Sequence, residues 1–172
     1  MNQGLVIWLT GFSGAGKTTI ALALREKILQ YQIPVELLDG DLLRDTISSD
    51  LAFSRKDRET QGMRVGFIAG LLVKHGVFVI VSTISPYRNV RDQMRTNISN
   101  FLEVYVKCSL NECEKRDVKG LYRKARLGEL ENFTGVHDTY EEPLNPDVIC
   151  HTETETVSHC VEKIISVLKT KI

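Results

Sequence analysis

Excess charge is what this 172-residue chain lacks most plainly, since 22 Lys and Arg are balanced by 22 Asp and Glu. That balance argues against a nucleic acid or an anionic membrane surface as partner, because both are recognised through a surplus of positive charge. Any anion site must therefore be local. Long apolar runs are missing too: none approaches the roughly 20 residues that span a bilayer. The N-terminus has no succession of charged, apolar and cleavage-site residues of a secretory signal, so the expectation is a cytoplasmic protein. Cysteine is scarce, and Cys108, Cys113, Cys150 and Cys160 form neither a CxxC pair nor a zinc-ligand spacing, which predicts free thiols in a reducing compartment. The histidines, His75, His137, His151 and His159, show no metal-ligand pattern either. No repeat or low-complexity linker divides the chain, so residues 1–172 are expected to form a single domain large enough to bury a sheet between two helical layers.

What is present is an alternation. Apolar runs of strand length, at Leu5–Leu9, Val35–Leu38, Val77–Val81, Phe101–Val106 and, weakly, Val148–Ile149, are separated by helical patterns. Helices are expected over Thr18–Tyr31, Lys56–His75, Asn89–Asn97, Leu110–Arg116 and Thr154–Lys169, with Gly76 capping the second of them. The pattern predicts an α/β fold with a five-stranded parallel sheet and helices on both faces. Near-continuous Val- and Ile-rich strands suit a sheet covered on both sides.

The sharpest motif follows the first strand directly. Gly11-Phe12-Ser13-Gly14-Ala15-Gly16-Lys17-Thr18 is a complete phosphate-binding loop set between a buried strand and a helix-prone run. Such a loop aims backbone N–H groups and the positive end of a helix dipole at one point. The expected ATP site is Gly11, Ser13, Gly14, Ala15, Gly16, Lys17, Thr18 and Thr19, with Lys17 reaching the β- and γ-phosphates and the Thr18 hydroxyl a ligand of Mg²⁺.

In an open parallel sheet, ligands bind beyond the carboxyl ends of the strands, and three further strand ends carry polar or basic residues. The second is followed by Asp39-Gly40-Asp41 and Arg44, the third by Ser82-Thr83-Ile84-Ser85-Pro86-Tyr87-Arg88. The fourth leads through a short helix to residues 117–145, which carry Lys119, Arg123, Lys124 and Arg126 with no sustained apolar period and read as a basic, partly helical lid. An aspartate near the phosphates would hold Mg²⁺ or accept the proton of an attacking hydroxyl, and Asp41 is the leading candidate, whereas Asp39 suits a helix cap as well. Arg44 and Arg58 offer guanidinium forks to an anionic acceptor, or alternatively pair on the surface. No base-reading Asn-Lys-x-Asp of a GTP switch is present, and the Asp-Gly-Asp turn suits acceptor binding better than a motor. A small-molecule kinase leads, ahead of a nucleotide-binding regulatory protein without turnover.

These residues resemble the adenylylsulfate (APS) kinase family. The likeness is carried by GFSGAGKT together with DGD (Asp39 to Asp41), FSRKDR (Phe53 to Arg58), STISPYR (Ser82 to Arg88), FLEVYV (Phe101 to Val106), CEKRDVKGLYRKAR (Cys113 to Arg126) and FTG (Phe133 to Gly135). The resemblance implies a P-loop kinase that uses ATP and Mg²⁺ to phosphorylate the 3′-hydroxyl of adenosine 5′-phosphosulfate (APS), giving 3′-phosphoadenosine 5′-phosphosulfate (PAPS), and a homodimer in sulfate assimilation. It places Asp41 beside the 3′-hydroxyl and, with Thr18, at the metal. Arg44 and Arg58 become ligands of the phosphosulfate, and Phe53 and Phe133 hold the base. Asp39, Leu42, Gln61, Ile84, Ser85, Lys119 and Thr134 complete the acceptor side. Ser85 is also implied as a catalytic phosphoserine, although in-line transfer needs only positioning and charge stabilisation, while a serine nucleophile needs its own base.

The departures from the family pattern gather on the acceptor side. Leu42 stands where a polar residue is usual, Gln61 and Met63 replace an asparagine and an arginine, and Ala52 replaces the glycine of Leu-Gly-Phe. Either Gln61 keeps the amide function and APS still binds, or the acceptor has changed to another nucleotide, such as cytidine 5′-diphosphoramidate in capsule modification.

Overall fold

The computed structural model describes residues 4–171. Five parallel strands, β1 (Val6–Thr10), β2 (Val35–Asp39), β3 (Phe78–Ser82), β4 (Phe101–Lys107) and β5 (Val148–His151), lie in the order β2-β3-β1-β4-β5. Helices fill the connections: α1 (Lys17–Leu29), α2 (Gly40–Asp45), α3 (Arg55–Lys74), α4 (Arg88–Asn97), α5 (Leu110–Arg116), α6 (Leu121–Arg126) and α7 (Val157–Leu168).

Because successive side chains on a strand point to opposite faces, β1 divides its apolar residues between two cores. Ile7 and Leu9 join Ile80, Leu102 and Val104 beneath α1 and α7. Val6 and Trp8 join Val79 and Val81 beneath α3 and α4. Helices therefore cover both faces, as the strand composition predicts. The contact between α3 and α4 depends on having no side chain at two turns of α3. A Cβ at Gly66 would come 1.8 Å from the Met94 sulfur, and one at Gly62 would come 2.5 Å from Val90. This close approach holds the N-terminal half of α3, with Arg58 and Gln61, against the carboxyl end of the sheet.

The five expected strands are all present, displaced at their ends by two residues at most. Gly76, with φ 80°, follows the helix-ending His75 as expected. The last helix starts at Val157, three residues after the expected Thr154, because the Thr156 side chain accepts the N–H of His159 and caps it there. Helix α2 was not expected: Asp-Gly-Asp reads as a turn, and a six-residue helix is too short to show a period. Within the 117–145 stretch only α6 is helical. All four cysteines are free and buried. Among the described residues no helix is long and apolar enough to cross a membrane.

Candidate active site

The phosphate-binding loop turns sharply out of β1 and into α1. Gly16, the residue before α1, has φ 98°, a left-handed conformation that strains any side chain. Thr152, just past β5, donates its hydroxyl to the Ala15 carbonyl at 2.8 Å and pins the loop from behind. Lys17 is folded back along the loop, its ammonium donating to the carbonyls of Gly11 (2.9 Å) and Phe12 (2.7 Å). Burial pushes that ammonium down to about 8, and the neighbouring Lys119 charge works in the same direction. An ammonium held this way gains from an arriving polyanion.

Beside Lys17, the Thr18 hydroxyl donates to Asp39 across 3.4 Å. The other oxygen of Asp39 accepts the N–H groups of Asp41 (3.0 Å) and Leu42 (3.4 Å) and so caps α2. The capping and functional readings of Asp39 are thus both realised in one carboxylate. Asp41 is ion-paired to Lys119 of the lid. Among the described residues no cluster of three His, Cys, Asp or Glu gathers into a protein-only metal cage. Thr18, Asp39 and Asp41 place hard oxygen donors on the wall of the larger cavity beside Lys17.

Two cavities open here. The smaller, about 290 Å³, runs from the loop residues Ser13, Gly14 and Gly16 to Arg116 and Tyr122. The larger, about 400 Å³, spreads beneath α2, α3, the segment after β3 and the lid. Ser13, Lys17, Thr18 and Lys119 line both. The cavities therefore meet at the end of the phosphate-binding loop, and Asp41, ion-paired to the shared Lys119, lies on the wall of the larger one.

Two guanidinium groups crowd one aromatic ring in the larger cavity. Arg44 lies 4.4 Å from the centre of the Phe53 ring and donates to the Ala52 carbonyl at 2.7 Å. Arg58 lies 5.4 Å from the same ring and donates to the carbonyls of Phe53 (3.1 Å) and Asn132 (2.8 Å). Burial, then the Arg58 charge, holds the Arg44 guanidinium below its ordinary range. Like charges brought together in this way favour an anion between them. Phe133 packs edge-on against Tyr122, ring centres 5.0 Å apart, and forms part of the wall with Phe53. Gln61 donates its amide to the Gly40 carbonyl at 3.2 Å, linking α3 to the DGD turn.

Ser85 is held in place rather than activated. Its hydroxyl accepts the indole N–H of Trp8 at 2.9 Å and shares a 2.7 Å hydrogen bond with the Thr83 hydroxyl, neither of which is a base at neutral pH. Its φ of 44° is a left-handed, strained value for a serine. Arg91, only 1% exposed, bonds to the Ser85 carbonyl and is itself fixed by Glu103 at 2.8 Å.

Most residues singled out in the sequence meet around these cavities. Asp39, Asp41, Arg44, Phe53, Arg58, Gln61, Ile84, Ser85, Lys119 and Phe133 all line the larger one. Leu42, 60% exposed, and Thr134, 1% exposed, line neither cavity. Sequence reasoning passed over Arg116, Thr83 and Tyr87, which do line them. Arg116 stands in CEKRDVKGLY and the other two in STISPYR, so the motifs contained the signal without marking the individual positions.

The sequence matches the adenylylsulphate kinase family model over residues 3–151. An adenylyl-sulfate kinase of Rippkaea orientalis is 54% identical over 95% of this chain and 90% of that protein. The Mycobacterium tuberculosis APS kinase CysC, solved in complex with AMPPNP and APS, superposes with a TM-score of 0.94 at 37% identity, covering 98% of this chain and 99% of that one. A hexameric APS kinase from Thiobacillus denitrificans superposes with a TM-score of 0.75 at 29% identity, covering 99% of this chain and 29% of that one. With the loop, the DGD turn, the arginine pair and the lid gathered at one end of the sheet, the chain belongs to the adenylylsulphate kinase family.

Proposed function

We propose that the protein transfers the γ-phosphoryl group of ATP to the 3′-hydroxyl of APS, producing PAPS. The observation that carries this is the junction of the two cavities at Ser13, Lys17, Thr18 and Lys119. A triphosphate laid along the loop from the smaller cavity brings its terminal phosphoryl group to that junction, where a hydroxyl from the larger cavity meets it. Phosphoryl transfer asks the protein chiefly for positioning and charge stabilisation. Lys17 and Lys119 supply positive charge at the transferring group. Asp41, on the acceptor wall, accepts the proton of the 3′-hydroxyl once Lys119 turns to the phosphates. Arg44 and Arg58 hold the phosphosulfate, and Phe53 and Phe133 flank the purine. Ser85 shapes the wall, because its hydroxyl has no base to activate it.

Mg²⁺ fits the donor set: Thr18, Asp39 and Asp41 present the oxygen ligands this ion prefers, in the small number it takes beside substrate phosphates. When bound, it neutralises charge on the β- and γ-phosphate oxygens. The same reading makes the protein a homodimer acting in the cytoplasm in sulfate assimilation, an extension that rests on its likeness to the family.

The test is to incubate the purified protein with Mg-ATP and either APS or cytidine 5′-diphosphoramidate, and to identify the product by phosphorus NMR. A new 3′-phosphate on APS is the expected result. Turnover of the cytidine compound alone would overturn the choice of acceptor. Normal ATP binding with turnover of neither would favour a regulatory protein.

A further inference from the structure

Arg58 is fixed from two sides. Its own segment supplies the Phe53 carbonyl, while the distant lid supplies the Asn132 carbonyl and, 3.9 Å from its Nε, the carboxylate of Asp138. With its side chain only 5% exposed, this guanidinium has few other ways to be oriented. Asp138 is itself held: one oxygen accepts the Tyr87 hydroxyl, and the other accepts the Thr139 N–H at 2.8 Å. Tyr87 is 1% exposed and follows the Ile84–Pro86 segment of the acceptor wall, so it is a rigid support.

Asp138 also closes a small loop that starts at Phe133. The Phe133 carbonyl accepts from the backbone N–H groups of Val136, His137 and Asp138, and the Gly135 N–H donates to the Asp138 carbonyl at 2.7 Å. A single side chain thus joins the loop that carries the Phe133 ring to the Arg58 guanidinium and to the segment after β3. Those are three parts of the acceptor wall that the chain brings together from separate regions. The nucleotide-triphosphate side shares none of these bonds.

We propose that Asp138 is a positioning residue for the acceptor: braced by Tyr87, it sets the Arg58 guanidinium and the Phe133 loop in register, so that acceptor affinity depends on it while ATP affinity does not. The alternative is a purely local role, in which Asp138 caps Thr139 and keeps the lid folded. The inference rests on APS as acceptor.

Steady-state kinetics with APS and ATP varied separately, on the wild type, Asp138→Asn, Asp138→Glu and Tyr87→Phe, distinguish the two. Asp138→Asn keeps a side chain able to accept from Tyr87 but removes the charge facing Arg58. It is expected to raise the KM for APS about tenfold, with kcat changed less than about threefold and the KM for ATP less than about twofold. Asp138→Glu should recover part of that loss, and Tyr87→Phe should raise the KM for APS by about threefold. Melting temperatures identify any variant that fails to fold, and Tyr87→Phe, which leaves the carboxylate in place, then carries the comparison. An unchanged KM for APS in Asp138→Asn, or equal rises in both KM values, would overturn the proposal. A wild type that does not turn over APS would instead overturn the functional reading, and the proposal with it.

Discussion

The two halves of the active site are built in opposite ways. The phosphate-binding part of the ATP half is one uninterrupted run, Gly11 to Thr19, positioned by a strand ending and a helix beginning, and the cavity beside it is closed by Arg116 and Tyr122. The half proposed for the acceptor is assembled from α2, α3, the segment after β3 and the lid, and its cavity is lined by side chains: Asp41, Arg44, Phe53, Arg58, Gln61, Lys119 and Phe133. Backbone geometry tolerates change in its neighbours, whereas an assembled pocket depends on each contributor being held by another. Of the departures from the family pattern, at Leu42, Ala52, Gln61 and Met63, Gln61 alone lines the larger cavity, while the ATP loop keeps the full motif. The contrast also gives the arginine pair its meaning, since two guanidinium groups over one phenyl ring are poorly arranged until an anion joins them.

Three changes should separate the halves, in decreasing order of effect. Asp41→Ala removes the proton acceptor and should lower kcat by about 100- to 10,000-fold while leaving ATP binding nearly intact, as measured by single-turnover kinetics and calorimetry. An unchanged rate would remove Asp41 from the mechanism. Phe53→Ala deletes a stacking face worth about 1–3 kcal/mol per base, so the KM for APS should rise by roughly 5- to 150-fold. A matching rise in the KM for ATP would dissolve the distinction between the halves. The third change is pH. The Lys17 ammonium sits at about 8 in the free protein, and a bound triphosphate, by favouring the charged form, raises it. ATP affinity is then full below about pH 7 and falls as pH rises through 8, by about tenfold between pH 7 and 9 in equilibrium titrations. Arg44 and Arg58 remain charged throughout, so APS affinity should stay level across the same range.

The same contrast decides how much could be read from the sequence. The five strands and the loop were legible because each is a short contiguous pattern: a buried apolar run, or glycines at fixed spacing before Lys17 and Thr18. The acceptor side was legible mainly through resemblance, since nothing in the spacing of Arg44, Phe53 and Arg58 announces that they share one cavity wall. Helix α2 escaped because six residues carry no period, although the Asp39 cap that starts it was anticipated as one of two readings. Other features had no signal in the sequence. The brace from Tyr87 through Asp138 to Arg58 joins distant parts of the chain, and only the folded chain brings them together. The strained backbone of Ser85 and the bonds of its hydroxyl to Trp8 and Thr83 are likewise tertiary facts.

A crystal structure with a non-hydrolysable ATP analogue and APS bound together would show whether the two cavities meet as a reaction site. The terminal phosphorus of the analogue is expected at the junction between Lys17, Thr18 and Lys119, with the 3′-oxygen of APS about 3–3.5 Å from it in line for attack and Asp41 within hydrogen-bonding reach of that oxygen. APS bound outside the larger cavity, or its 3′-oxygen turned away from the junction, would contradict that arrangement.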